Sequence, residues 1–80
     1  MAKSQNIVHE YFKKQLEDGI RILVKVNPYR FTGTEITLSP QNETHIRELT
    51  FDEHIFEDLE ADGFERCNPL EFNLYLSGLA

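Results

Sequence analysis

Residues 20–26 alternate between two kinds of side chain, and this alternation constrains the fold more than any other feature of the chain. The even positions are all β-branched, namely Ile20, Ile22, Val24 and Val26, whereas the odd positions include the charged residues Arg21 and Lys25. A period of two is typical of a strand with one buried face and one face exposed to water. We therefore expect the other elements to cover this strand or to pair with it.

The length and composition predict a single domain over residues 1–80. Hydrophobic residues make up 40% of the chain and include six Phe and three Tyr, enough for one core but not for a large ligand cavity as well. The single cysteine, Cys67, cannot form an intramolecular disulfide. The sequence shows no secretion signal and no apolar run that could span a membrane, and it therefore predicts a cytoplasmic protein.

The net charge of −6 is unevenly distributed along the chain. Residues 1–47 carry seven Lys or Arg and five Asp or Glu, a net charge of +2. Residues 48–80 carry only Arg66 against nine Asp or Glu, a net charge of −8. Such an asymmetry bears on binding partners and solubility rather than on the fold.

Residues 4–18 are predicted to form the first helix. Val8, Phe12 and Leu16 recur at every fourth position and would form one inward stripe, with Ile7 and Tyr11 beside them. Ser4 is suited to cap this helix, and Gly19 to end it. In this interpretation Lys13 and Lys14 lie on or near the solvent-exposed side of the helix.

Two further strands are predicted, over residues 32–38 and 44–50. The turn residues Asn27-Pro28-Tyr29-Arg30 separate the first of them from the strand at 20–26, and Ser39-Pro40-Gln41-Asn42 separates the two. The segment 44–50 has the weaker alternation and is predicted to lie at a sheet edge. Such short connections favour an antiparallel meander.

A second helix is predicted over residues 53–62. Asp52 is a suitable N-cap, and Phe51 and Phe56 occupy the positions of a hydrophobic staple around it. Gly63 is predicted to adopt the left-handed conformation that ends many helices, followed by Phe64 as the apolar contact.

Residues 69–77 fit two structures. Leu70, Phe72, Leu74 and Leu76 alternate with polar residues and Tyr75, which favours a strand because a helix would spread these groups around its circumference. The alternative is a helix with Asn68 as its cap and Pro69 in its first turn. In either case the segment supplies apolar side chains that the core needs.

These elements predict an α+β fold, with a small antiparallel sheet of three to four strands and two helices packed on one face. The predicted order is α-β-β-β-α-β, or α-β-β-β-α-α if the last segment is helical. Over residues 4–62 this order resembles that of the double-stranded-RNA-binding domain. That family binds phosphates through lysines at the start of its second helix, but here that position reads Asp52-Glu53-His54, so RNA binding by this route is not expected.

The second predicted helix is the strongest candidate for a binding surface. Residues 48–65 contain eight carboxylates and neither Lys nor Arg. Like charges four residues apart destabilise a helix by a few tenths of a kcal/mol for each pair. We select six of the carboxylates as candidate partner-binding residues: Glu53, Glu57, Asp58, Glu60, Asp62 and Glu65. The alternative is a solvated face without a partner, with Asp52 and Glu53 also favoured by the helix dipole.

The remaining polar residues give weaker signals. His54 and Asp58 are four residues apart, but the sequence does not supply the other ligands of a zinc site. Cys67 lacks a nearby base, so the sequence predicts neither a catalytic nor a cofactor site. A basic group on the other half of the chain, without interleaved aromatic residues, is weak evidence for nucleic-acid binding; its members are Lys13, Lys14, Arg21, Lys25 and Arg30.

The sequence therefore predicts a non-enzymatic interaction protein that docks its acidic helix, together with the adjacent sheet edge, on a basic protein. The sharpest form of this hypothesis is an inhibitor that imitates the phosphates of nucleic acid and occupies the phosphate site of a nucleic-acid-binding protein. Its less specific form is an adaptor or regulatory subunit. Two alternatives remain open at this point. One is a homodimeric structural or regulatory protein, in which the basic half of one copy meets the acidic half of the other. The second is a small-molecule binder.

Overall fold

The computed structural model describes residues 8–41 and 43–77, which form one five-stranded sheet and two helices. The elements in chain order are β1 (Glu10–Gln15), β2 (Arg21–Asn27), β3 (Thr32–Leu38), β4 (Thr44–Thr50), α1 (Ile55–Ala61), β5 (Glu65–Arg66) and α2 (Pro69–Leu76). The strand order is β4-β3-β2-β1-β5, and all neighbours are antiparallel. The α+β class is confirmed, but the element order differs from both predicted orders. Neither helix of the described residues is long and apolar enough to cross a membrane.

Strand β2 lies in the middle of the sheet and is buried on both faces. On one face, Val24 and Val26 pack with Ile55 and Leu59 of α1. On the other face Leu23, only 2% exposed, packs with Ile36 of β3 and Phe72 of α2. The prediction that one face of this strand is exposed to solvent is therefore wrong at Leu23. Because each face requires a cover, the helices lie on opposite sides of the sheet and not together on one face as predicted.

The predicted helix over residues 4–18 is wrong in its described part, where β1 forms instead. Residues 4–7 lie outside the described residues. Tyr11 and Phe12 explain the difference, because these consecutive aromatic residues are used on opposite faces of the sheet. Phe12 joins the cluster under α1, and Tyr11 packs edge-on against Phe72 with ring centroids 5.4 Å apart. A strand directs neighbouring side chains to opposite faces, whereas a helix would place both on one side.

Gly19 belongs to a hairpin turn between β1 and β2 rather than to a helix end. The amide of Leu16 donates to the carbonyl of Ile20 at 2.8 Å, and the amide of Gly19 donates to the carbonyl of Leu16 at 3.1 Å. Gly19 has a φ of +89°, the left-handed conformation that closes a three-residue hairpin loop. The dipeptide Asp18-Gly19 is a hairpin signal that the helical pattern concealed.

The predicted strands at 32–38 and 44–50 are confirmed as β3 and β4, and β4 forms one edge of the sheet. Gly33 is required where β3 passes β2, because a Cβ atom there would lie 2.0 Å from the carbonyl oxygen of Lys25 and 2.7 Å from the Phe51 ring. Before β3, the side chain of Asn27 accepts hydrogen bonds from the amides of Tyr29 and Arg30, which forms the predicted turn.

Helix α1 is shorter than the predicted range of 53–62, and its N-terminal cap is not Asp52. The N-cap position is His54, whose side chain caps no amide, while the carboxylate of Asp52 accepts from the amide of His54 in the preceding turn. The predicted C-terminal end is confirmed. Gly63 has a φ of +87° and donates to the carbonyl of Glu60, and Phe64 donates to that of Leu59. These two bonds form a Schellman motif.

Residues 69–76 form a helix, so the favoured prediction of a strand is wrong and the helical alternative is confirmed. The side chain of Asn68 accepts from the amide of Leu70 at 2.7 Å, and Pro69 occupies the first turn. These local capping signals outweigh the alternation of apolar residues. The helix buries Phe72 completely but leaves Leu70 65% exposed. With β1 in place of a first helix, the resemblance to the double-stranded-RNA-binding order is not borne out.

Replacing Phe72 tests whether α2 is part of the core. The Phe72→Ala variant should lower the free energy of unfolding by about 3–5 kcal/mol, because it removes a fully buried ring from a small domain. Urea unfolding followed by circular dichroism measures the change. Leu70→Ala in the same helix is the control and should change it by less than about 1 kcal/mol, since that side chain is mostly in solvent. Equal effects of the two variants would contradict the packing of α2.

Candidate protein-binding surface

All six carboxylates selected from the sequence are exposed, and most are brought together by α1. Ile55 and Leu59 turn toward the sheet, which leaves the other sides of this helix for polar residues. The set comprises Glu57, Asp58 and Glu60 within α1, Glu53 in the preceding turn, Asp62 at the C-cap and Glu65 in β5. We call these six residues the acidic surface.

No Lys or Arg of the described residues forms an ion pair with a carboxylate of the acidic surface. Three cations have carboxylate partners elsewhere: Lys13 pairs with Glu71 at 3.2 Å, Arg47 with Glu35 at 2.8 Å, and Arg66 with Glu10. Lys14 lies at the C-terminal end of α1 but donates to the backbone carbonyl of Asp62, where a cation complements the helix dipole. The negative charge of α1 is therefore little compensated from within the chain.

Among the residues that the structure describes, His54 is the side chain that forms ion pairs with the acidic surface. Its Nδ1 lies 3.2 Å from a carboxylate oxygen of Glu57, and its Nε2 lies 3.8 Å from one of Glu53. The hydrogen bond to Glu57, together with the charge of that residue, raises the pKa of His54 above its usual value of 6.5. Nearby Asp52 and Asp58 contribute in the same direction. The acidic surface thus becomes less negative when the imidazole is protonated.

A groove lies beside α1, between this helix and β5. Its volume is about 350 Å³, and its lining combines three aromatic rings with three carboxylates and one cation: Phe12, Phe56, Phe64, Glu57, Glu60, Glu65 and Arg66. We call it the aromatic groove. Phe12 and Phe56 are in contact, with ring centroids 6.0 Å apart. The groove therefore offers an apolar floor with carboxylates at its rim.

The rings around this groove already accept cations from within the chain. The guanidinium carbon of Arg66 lies 5.3 Å from the centroid of Phe12, and Nζ of Lys14 lies 5.8 Å from that of Phe64. Both distances are within the range in which a cation is attracted to an aromatic face. The same chemistry can bind a lysine or arginine side chain from another molecule.

The structure divides the acidic surface into two parts. Glu57, Glu60 and Glu65 line the aromatic groove, whereas Glu53, Asp58 and Asp62 do not. Glu65 also lies opposite Lys13 in the pairing of β1 with β5.

Sequence reasoning missed Phe12 and Arg66 as parts of the site, because their position depends on the pairing of β1 with β5. The aromatic residues Phe56 and Phe64 on either side of the carboxylates were the available signal.

The basic group selected from the sequence does not form one patch. Lys13, Lys14 and Arg21 line a second groove of about 400 Å³ beside α2, together with Glu65 and Glu71. Lys13 is paired there with Glu71, and Arg21 donates to the hydroxyl of Tyr75 at 2.6 Å. Lys25 and Arg30 do not line this groove. The local charge is therefore nearly balanced.

The structure also shows the surroundings of Cys67, considered above as a nucleophile, and of His54 and Asp58, considered as metal ligands. Cys67 packs against the cluster around Leu23 and Phe72, and burial raises the pKa of its thiol, which disfavours the reactive thiolate. His54 contacts Glu53 and Glu57, not Asp58. Within residues 8–41 and 43–77, no three His, Cys, Asp or Glu side chains are grouped so that they could hold a metal ion.

Comparisons of the chain with protein-family models, with curated proteins and with solved structures give no match.

The ion pairs of His54 predict a measurable titration. Its pKa, followed by NMR, should lie above 6.5 in the folded protein, and Glu57→Gln should lower it. The pKa of His54 is higher in the folded than in the unfolded protein, so protonation of His54 stabilises the folded state. This contribution to the free energy of unfolding is complete below the unfolded-state pKa and is lost as the pH rises through the folded-state pKa. Glu43→Gln, away from His54, is the control and should leave the titration unchanged. A pKa that does not respond to Glu57→Gln would exclude this contact.

Proposed function

We propose that the chain is a non-enzymatic interaction protein that docks the acidic surface and the aromatic groove on a basic protein. The observation that carries this proposal is the negative charge of α1, which no Lys or Arg of the described residues pairs with, beside the aromatic groove. Acidic residues alone would also suit a solvated face. A groove with three aromatic rings has a more specific use, because it can bury the alkyl part of a basic side chain while its rim pairs with the charge.

The geometry favours an arginine or lysine of the partner as the anchor of the interface. Buried arginine side chains are common among the residues that dominate binding energies. The anchor would lie against Phe56, since Arg66 and Lys14 already lie over Phe12 and Phe64, with its charge near Glu57 and Glu60. The chain's own Arg66 is held by Glu10, which leaves these two carboxylates without a Lys or Arg partner among the described residues.

The density of carboxylates supports a more specific proposal about the partner. Duplex DNA carries one negative charge for about every 1.7 Å of its axis, so a protein surface that binds it is rich in Lys and Arg. The acidic surface presents six carboxylates on and around a single short helix. We infer that the partner is a nucleic-acid-binding protein and that this chain acts as an inhibitor by occupying its phosphate site.

Charge reversal tests the proposal directly. The tagged protein is incubated with native-host lysate at low and high ionic strength, beside the variant Glu57→Lys/Asp58→Lys/Glu60→Lys. We expect a basic protein to be retained at low salt, released at high salt because screening weakens exposed charges, and bound at least about tenfold more weakly by the variant. Added duplex DNA should compete with this chain for the captured protein.

A matched variant separates the acidic surface from the net charge. Glu17→Lys/Asp18→Lys/Glu43→Lys changes the charge by the same amount at exposed positions in the loops beside β2 and β4. It should retain the partner almost as well as the wild-type protein. Circular dichroism verifies that both variants are folded. If both variants lose the partner equally, or if neither does, α1 is not the binding surface.

The role of the aromatic groove has its own test. Phe56→Leu keeps an apolar side chain but removes the aromatic face, and should weaken binding of the captured partner about two- to fivefold. Titration calorimetry with the purified partner measures the affinity. Tyr29→Leu, which removes an exposed aromatic ring in the turn before β3, is the control. Equal affinities of Phe56→Leu and the wild-type protein would exclude an aromatic anchor.

A further inference from the structure

Strand β4 is a long sheet edge that lacks most of the usual protection. Residues 44–48 are exposed, although they lie in a seven-residue strand that pairs continuously with β3. Proteins commonly protect an edge strand with a lysine, a proline, a bulge or a very short length. β4 has no lysine, proline or bulge and is seven residues long, and its charged side chains Arg47 and Glu48 both contact β3. Ile46 is 49% exposed on it.

The opposite edge of the sheet differs mainly in its length. β5 contains only Glu65 and Arg66, so its pairing surface is short and charged. Lys14 and Arg66 also lie over aromatic rings on that side of the sheet. The contrast between the two edges indicates that β4 is available for pairing, whereas β5 is not.

The charges of β4 are directed toward its neighbour β3. Arg47 pairs with Glu35, and Glu48 accepts a hydrogen bond from the hydroxyl of Thr34 at 3.0 Å. The strand has one basic and one acidic residue, so it is nearly neutral in a chain with a net charge of −6. The carboxylates of α1 belong to a helix that packs on Phe12, Val24 and Val26 of β1 and β2, away from this edge. A second negatively charged copy can therefore approach β4 with less repulsion than it would meet at α1.

The charges of β4 argue against two symmetric registers and favour one centred on Ile46. A two-fold axis perpendicular to the sheet pairs two antiparallel copies around a central residue. A centre at Arg47 would place two arginines opposite each other, and a centre at Glu48 two glutamates, both of which destabilise a strand pair. A centre at Ile46 places Ile46 opposite its copy, Thr44 opposite Glu48 of the second copy, and His45 opposite Arg47 of the second copy.

We propose that β4 pairs antiparallel with β4 of a second copy of this chain, in the register centred on Ile46. The pairing joins the two sheets into one of ten strands and buries the exposed Ile46 side chains against each other. The acidic surfaces of both copies remain outside this contact. The proposal does not depend on the proposed function, because it concerns a different edge of the molecule.

The mass in solution tests this assembly. Sedimentation equilibrium of the wild-type protein should show a concentration-dependent rise from 9.4 kDa toward twice that mass. Ile46→Lys, which would place two ammonium groups together at the centre, should remain monomeric. Leu70→Lys introduces the same charge at another exposed leucine and should still dimerise. A monomeric wild-type protein, or a dimer that persists in Ile46→Lys, would overturn the proposal.

Crosslinking tests the register. In a Cys67→Ser background, Ile46→Cys should form an intermolecular disulfide under mild oxidation, since directly opposed residues of antiparallel strands have Cα atoms about 4.5–5.5 Å apart. Glu48→Cys places the two cysteines four positions apart in the pairing and should crosslink far more slowly. Equal crosslinking would contradict the register.

High salt distinguishes this dimer from one that is held by opposite charges, because only the charge-held dimer should dissociate as the ionic strength rises.

Discussion

The burial of β2 on both faces is the constraint on which the rest of the structure depends. Val26 is completely buried on one side and Leu23 is 2% exposed on the other. A chain of 80 residues has little apolar material, so each face receives one short helix. This arrangement stabilises the sheet through two small clusters instead of one large core, and Phe72 is the largest fully buried side chain.

The same constraint leaves α1 free to carry charge. The helix spans only seven residues, and its contribution to the core comes from Ile55 and Leu59 with the partly buried Phe56. Its remaining positions are open to water. Five of the described cations are engaged elsewhere: Lys13, Arg47 and Arg66 with carboxylates, Arg21 with a hydroxyl, and Lys14 with the carbonyl at the end of this helix. Phe12, Phe56 and Phe64 belong to the apolar cluster under α1, and they also line the aromatic groove between this helix and β5.

Sequence reasoning identified the elements whose signals are local. β3 and β4 have the predicted bounds because turn residues flank a period of two, and Gly63 ended α1 as expected. The first segment failed because Val8, Phe12 and Leu16 imitate a helical stripe, although Val8 is exposed and Asp18-Gly19 forms a hairpin. The acidic residues were visible in the sequence, but the groove was not. Phe12 and Arg66 meet only through the pairing of β1 with β5, a contact between distant parts of the chain.

The packing of β2 between the two helices can be tested directly by NMR. A methyl- and aromatic-resolved NOESY spectrum should show contacts from Leu23 to the Phe72 ring, and separate contacts from Val26 to the side chains of α1. Residues 10–15 should show cross-strand contacts to β2. Contacts from Phe72 to Val26, or successive amide contacts typical of a helix across residues 10–15, would contradict the account.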